Sequence, residues 1–250
     1  MPLPGPTDSP LPLAERSLQA YLLGSVDFEA ALALQKRLVY EISGERDQAA
    51  LLLCEHPPLI TVGRSGSRGH ILFEPEELAA RRWRVRWVNR GGGALLHLPG
   101  QVAVYPVVAL DRLGLGLDDY LGRLTDVLRD TLADFSVRAE GRDGEPGLWV
   151  GGRPIALVGA AVSGWVAYYG AVLNVHPDLE LLRRVRTGPG EGPMTSLERE
   201  RRGPLRPALV RERLVSHFAR RFGIDRVSVL FQHPALAPRE GRDLHVRLSG

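Results

Sequence analysis

From Arg90 to Gln101 the chain reads Arg-Gly-Gly-Gly-Ala-Leu-Leu-His-Leu-Pro-Gly-Gln. Three consecutive glycines, Gly91, Gly92 and Gly93, let the backbone take positive φ and bring its N–H groups close to a ligand. Arg90 offers a planar positive fork for a carboxylate, phosphate or carbonyl. His97 is a candidate base, and Ala94, Leu95, Leu96 and Leu98 surround it with apolar surface. A polar backbone beside aliphatic side chains suits an acyl chain with a polar head. The spacing matches neither GxGxxG nor GxxxxGK[ST], which argues against a nucleotide phosphate. A glycine run alone often marks only a tight loop. Arg90, His97 and the Pro99-Gly100-Gln101 turn favour a substrate cradle.

The cradle must be positioned by the elements around it. Apolar residues recur at helical spacing over Phe28–Tyr40, Leu117–Phe135 and Arg206–Phe222, which predicts three helices. A short helix is expected over Glu74–Arg82, with Pro75 in its first turn. Ala49–His56, Leu59–Arg64, Arg84–Asn89, Gln101–Leu110, Gly147–Val150, Pro154–Val162 and Trp165–Val175 read as strands. Strands in adjacent runs, with helices before, between and after, predict an α+β fold with a mixed, mostly antiparallel sheet. Residues 1–22 are proline-rich and expected to be a flexible arm, 23–235 a single domain, and 236–250 a short polar tail.

The sequence has 250 residues, 44% hydrophobic, with formal charge +3. Acids and arginines alternate through most of it, unlike a nucleic-acid-binding protein. No apolar run approaches the ~20 residues of a membrane span, and the first residues lack the pattern of a secretion signal. A cytoplasmic location is expected. One cysteine, Cys54, excludes an internal disulfide and a cysteine-rich metal site; no metal and no cofactor is expected. Cys54 reads as a small buried hydrophobe, and Lys36, the only lysine, as exposed. Trp149 and Trp165 read as core or pocket-wall residues, His176 and His217 as isolated packing or surface residues.

Five blocks resemble one family, in order. They are EHPPLITVGR from Glu55, RGGGALLHLPGQVAVYPVVAL from Arg90, GLWVGGRPIALVG from Gly147, YYGAVLNVHPDLELLRRV from Tyr168, and MTSLERE from Met194. They are similar to the lipoyl(octanoyl) transferases, and the match covers roughly Phe28 to Phe222. The resemblance implies the fold of biotin and lipoate protein ligases. It implies octanoyl transfer from acyl carrier protein to a lysine of a lipoyl domain, through a thioester on a cysteine whose pKa a nearby lysine lowers. It also implies a medium-chain acyl site formed by the cradle, His56, Leu157-Val158-Gly159 and Tyr169-Gly170-Ala171. These partners involve no nucleic acid and no membrane.

The chain departs from that pattern where the chemistry lies. The family's cysteine aligns with Thr187, in Arg186-Thr187-Gly188, and its lysine with Pro154, in Pro154-Ile155-Ala156. Tyr169 stands at a third histidine position, while His56 and His97 remain. A threonine hydroxyl is a poor nucleophile without an adjacent base. The sequence therefore supports a non-catalytic acyl- or partner-binding protein or a scaffold subunit, alongside a transferase of altered chemistry. An ATP-dependent lipoate or biotin ligase is less well supported, because those enzymes resemble this fold and use a lysine at a similar motif. Arginine runs at Arg183–Arg186 and Glu198–Arg202 flank Thr187 and would suit an acidic carrier protein.

Overall fold

A computed structural model describes residues 16–45, 47–142, 144–187 and 192–236. In chain order the elements are β1 (Ser17–Ser25), α1 (Phe28–Gly44), β2 (Gln48–Glu55), β3 (Leu59–Val62), α2 (Pro75–Ala80), β4 (Val85–Trp87), β5 (Ala94–His97) and β6 (Gln101–Ala109). There follow α3 (Leu110–Leu113), α4 (Leu117–Asp134), β7 (Glu140–Arg142), β8 (Glu145–Val150), β9 (Arg153–Ser163) and β10 (Val166–Asn174). The chain continues through α5 (Leu179–Leu182), α6 (Leu197–Arg201), α7 (Pro207–Phe222) and β11 (Arg226–Leu230).

Eight strands form one sheet in the order β11-β1-β2-β6-β10-β9-β8-β7, and β4-β3-β5 form a second. Only β1 with β11, β1 with β2, and β3 with β4 pair in parallel; the remaining pairs are antiparallel. The fold is thus α+β with a mixed, mostly antiparallel sheet. The helices take opposite faces of the large sheet. Tyr120, Leu124 and Leu128 of α4 and Leu214, Phe218 and Phe222 of α7 bury one face. Phe28, Leu34, Leu38 and Ile42 of α1 bury the other. With Ala31 between Phe28 and Leu34, these residues recur at the i, i+3 and i+4 spacing of an amphipathic stripe, and Asp27 caps the first turn by accepting from Glu29 and Ala30 N–H. The small sheet has its own core with Leu78 of α2 and Leu182 of α5.

Three expectations need correction. The arm assigned to residues 1–22 overlaps β1, which lies between two strands of the large sheet. Alternate burial of Leu18 and Ala20 marks it as a strand, a signal masked by the proline content upstream. Residues 1–15 of the arm, and residues 237–250 of the tail, lie outside the described residues; Leu236 packs against the α1-side core. Second, four residues of the cradle, Ala94 to His97, form a strand that the sequence did not predict, paired with β3. Third, Trp165 is not a wall residue. It sits in the β9–β10 turn at φ 65° and is 60% exposed.

Leu124 is fully buried on α4. Leu124→Ala is expected to cost about 2–5 kcal/mol in urea unfolding. Tyr40→Ser, at an 82% exposed position on α1, is expected to change stability by about 0.5 kcal/mol or less.

Candidate acyl-binding site

One cavity of about 270 Å³ opens where the small sheet meets β9 and β10. Its wall takes Arg90, Gly92, Gly93, Ala94, Leu95 and His97 from the cradle. It takes Leu157, Val158 and Gly159 from β9, Tyr169, Gly170 and Ala171 from β10, and Thr187 from the segment after α5. The structure thus brings most of the sequence-predicted positions together. Gly91, Leu96, His56 and Pro154 do not line it. Leu96 turns into the small-sheet core. Gly91 lies behind the wall, its N–H donating to the Ala160 carbonyl at 2.9 Å. Pro154 pairs with Trp149 at an irregularity of the β8–β9 ladder, and its carbonyl accepts from Thr195 N–H.

The cradle is held by backbone against backbone. A Cβ on Gly93 would stand 1.8 Å from the Thr187 carbonyl oxygen, and one on Gly159 would stand 2.5 Å from the Gly91 carbonyl oxygen. No side chain fits at either contact, so glycine here serves close approach. The loop's own carbonyls are occupied: Arg64, Ser65 and Gly63 N–H donate to the carbonyls of Arg90, Gly92 and Gly93.

Arg90 does not act as a free fork. Its guanidinium donates to the carbonyls of Gly91 at 2.9 Å, Gly93 at 3.1 Å and Thr61 at 3.3 Å, and to Thr61 Oγ1 at 2.9 Å. Burial lowers its pKa to about 10. It borders the cavity chiefly as the clamp of the glycine loop.

Behind the wall lies a second polar layer. His56 Nδ1–H donates to the Val26 carbonyl at 2.7 Å, so its Nε2 accepts from the Tyr105 hydroxyl at 2.9 Å. His97 Nε2 meets Thr61 Oγ1 at 3.1 Å. The Thr61 hydroxyl accepts from Arg90 and is placed to donate to His97. The two imidazole rings stand edge to face at 5.3 Å. Burial holds both histidines below their ordinary pKa, His97 far below, with His56 and Arg90 adding to the effect on His97. Cys54 is buried 3.8 Å from His56 Nε2, and burial pushes its thiol up to about 12. It is the inert hydrophobe the sequence suggested, and Lys36 is exposed on α1. Among the described residues no hydrogen bond joins Thr187 to His97. His217 is not isolated; it bonds Asp134 and Arg220 between α4 and α7.

Sequence reasoning missed Phe28, Tyr105, Ser65 and Val172 as wall residues, and the turn of Gly144 and Glu145 at its edge, while Trp149 lines the wall as expected. Phe28 and Tyr105 carried a signal, since each lies on the buried face of an element beside the cradle.

Residues 27–219 match the family described as the lipoyl protein ligase A/B catalytic domain. The chain is 38% identical over 197 residues to the octanoyltransferase of Geotalea uraniireducens, covering 78% of this chain and 89% of that protein. It is 39% identical over 176 residues to the octanoyltransferase of Geobacter metallireducens, covering 70% and 79%. The chain belongs to the octanoyltransferase family. Among solved structures, a lipoate-protein ligase A bound with ATP superposes with a TM-score of 0.71 at 17% identity, covering 88% of this chain and 90% of that one. The LipL1 of P. falciparum in complex with lipoate gives 0.67 at 11% identity, covering 86% and 66%. These two show the shared fold. Among the described residues, no helix is long and apolar enough to cross a membrane, and no group of histidine, cysteine, aspartate and glutamate could hold a metal ion.

Gly93→Ala must push the Thr187 segment away. It is expected to lose about 1–3 kcal/mol in urea unfolding, and to weaken acyl binding in calorimetry. A second expectation concerns pH. His56 and His97 have folded pKa values below their unfolded ones. The unfolded state therefore takes up protons first as pH falls below about 6.5. Their stability contribution is complete above that pH and declines below it. The melting temperature should fall between pH 6.5 and 5, and fall less in His97→Phe.

Proposed function

We propose that this family member binds a medium-chain acyl group in the cavity and does not pass it through a covalent enzyme intermediate. The carrying observation is that Thr187 borders the cavity beside the glycine loop with no hydrogen-bonded base among the described residues. Thr187 stands where the resemblance puts the nucleophilic cysteine, and Pro154 where it puts the activating lysine. A thiolate is an effective nucleophile near neutral pH; an unassisted threonine hydroxyl is not. His97 is an unsuitable substitute base, because its Nε2 faces Thr61. Cys54 cannot substitute as nucleophile either, being fully buried.

The acyl chain would lie against Leu95, Leu157 and Val158, with its carbonyl near Gly92 and Gly93. The acyl group would arrive on acyl carrier protein, and lipoyl domains are the other expected partner, as the family's activity implies. Arg183 and Arg186, exposed beside the Thr187 segment, suit an acidic carrier protein. In this reading the protein is a non-catalytic acyl-binding relative of the octanoyltransferases, acting in the cytoplasm.

Incubating the purified protein with octanoyl-acyl carrier protein and measuring intact mass tests this. Wild type is expected to bind the carrier without gaining an octanoyl group or modifying a lipoyl domain. Thr187→Cys with Pro154→Lys, verified as folded by circular dichroism, is expected to gain the adduct. A wild-type adduct that vanishes in Thr187→Ala would overturn the proposal.

A further inference from the structure

β10 departs from regular strand geometry at one point. Val166 and Ala167 pair with Ala109 and Val108 of β6, and Ala171 to Asn174 pair with Val104 to Gln101. Tyr168, Tyr169 and Gly170 have no partner in that register, opposite Tyr105, Pro106 and Val107. Pro106 has no N–H to give the ladder, and its ring crowds β10: a Cβ on Gly170 would stand 2.6 Å from Pro106 Cδ. At this break Tyr169 takes φ 58°, a left-handed conformation that an L side chain seldom adopts.

The conformation changes which way Tyr169 faces. In a regular strand Tyr169 would share a face with Ala167, Ala171 and Leu173, which pack in the α4–α7 core. Instead it joins Tyr168 in the α1-side core, the two rings stacked with centroids 5.0 Å apart. There it forms the aromatic side of the cavity with Phe28 and Tyr105.

One long-range contact holds this arrangement. Tyr169 N–H donates to Gln35 Oε1 of α1 at 2.8 Å. A buried backbone N–H displaced from its ladder must find another acceptor, and Gln35 supplies it. Gln35 is fully buried in an otherwise apolar helix face, and its Nε2 has no partner among the described residues. A leucine would fill that face without an orphaned donor, so the useful atom of Gln35 is the oxygen that meets Tyr169.

We infer that Gln35 is a positioning residue that holds Tyr169 in the cavity wall and thereby sets which acyl lengths the cavity accepts. The length selectivity rests on the acyl-binding reading above; the positioning does not. With Tyr169 held, the wall has a fixed depth. Without the acceptor, the backbone relaxes towards negative φ and the ring leaves the wall.

The full chain is compared with Gln35→Leu, which removes the acceptor at similar size, and Gln35→Glu, which keeps one. Hydrogen exchange at the Tyr169 amide should quicken about tenfold in Gln35→Leu, as for loss of one buried hydrogen bond, and remain near wild type in Gln35→Glu. Calorimetry with hexanoyl, octanoyl, decanoyl and dodecanoyl thioesters of N-acetylcysteamine should show a sharp length preference in wild type and in Gln35→Glu. In Gln35→Leu the preference should flatten and move to longer chains. A merely structural role would weaken all lengths in proportion and leave their ratios unchanged, and that result overturns the selectivity claim. Unchanged exchange in Gln35→Leu overturns the positioning itself. Should wild type bind none of the thioesters, the acyl reading and the selectivity fall, while exchange still decides whether Gln35 holds Tyr169. If Gln35→Leu does not fold, Gln35→Met carries the same comparison.

Discussion

The site depends on one buried cation. Arg90 gathers the carbonyls of Thr61, Gly91 and Gly93 around a single guanidinium. These carbonyls belong to two segments, the glycine loop and the end of β3, which the β3–β5 ladder and the backbone bonds from Gly63, Arg64 and Ser65 also hold together. A buried charge is costly unless its hydrogen-bonding capacity is used. Here neutral dipoles do that work, and the loop's shape is fixed as a consequence. Gly93 then accepts the Thr187 carbonyl at a distance no side chain permits, and Gly159 accepts the Gly91 carbonyl in the same way. The cavity is the space left between these clamped backbones.

Binding and chemistry are separable in this design. The wall is built from backbone, leucines and aromatics contributed by both sheets and α1, and it does not require a nucleophile to stand. The cavity here stands with Thr187 at its edge and Pro154 outside its wall. The buried layer of His56, Tyr105, His97 and Thr61 is likewise complete within itself. Each of these side chains meets another or a backbone carbonyl, which makes the layer a rigid backing for the wall.

The helices and most strands were legible because their apolar periodicity survives in the sequence. α1, α4 and α7 each present a regular buried stripe, and β2, β6 and β10 are continuous apolar runs expected of strands covered on both faces. β1 was less legible because it follows a proline-rich stretch, and β5 because its pairing with β3 cannot be read from a glycine-rich segment. The role of Arg90 was misjudged for a related reason. Residue type shows what a guanidinium can bind, but not that nearby carbonyls have already taken it. Trp165 shows the converse: its aromatic type suggested a wall, yet it lies in a two-residue turn that projects it outward.

By itself, the sequence determined the fold class, the family and the set of segments that meet at the cavity, because these follow from periodicity and ordered motifs. Only the tertiary structure decided which of those segments face inward. Gln35 is the clearest instance. In sequence it is a polar residue on a helix, 134 positions from Tyr169. Its meaning arises where Pro106 interrupts a sheet ladder and a displaced N–H needs an acceptor. Such a need belongs to two strands and a helix at once, so no local pattern of residues records it.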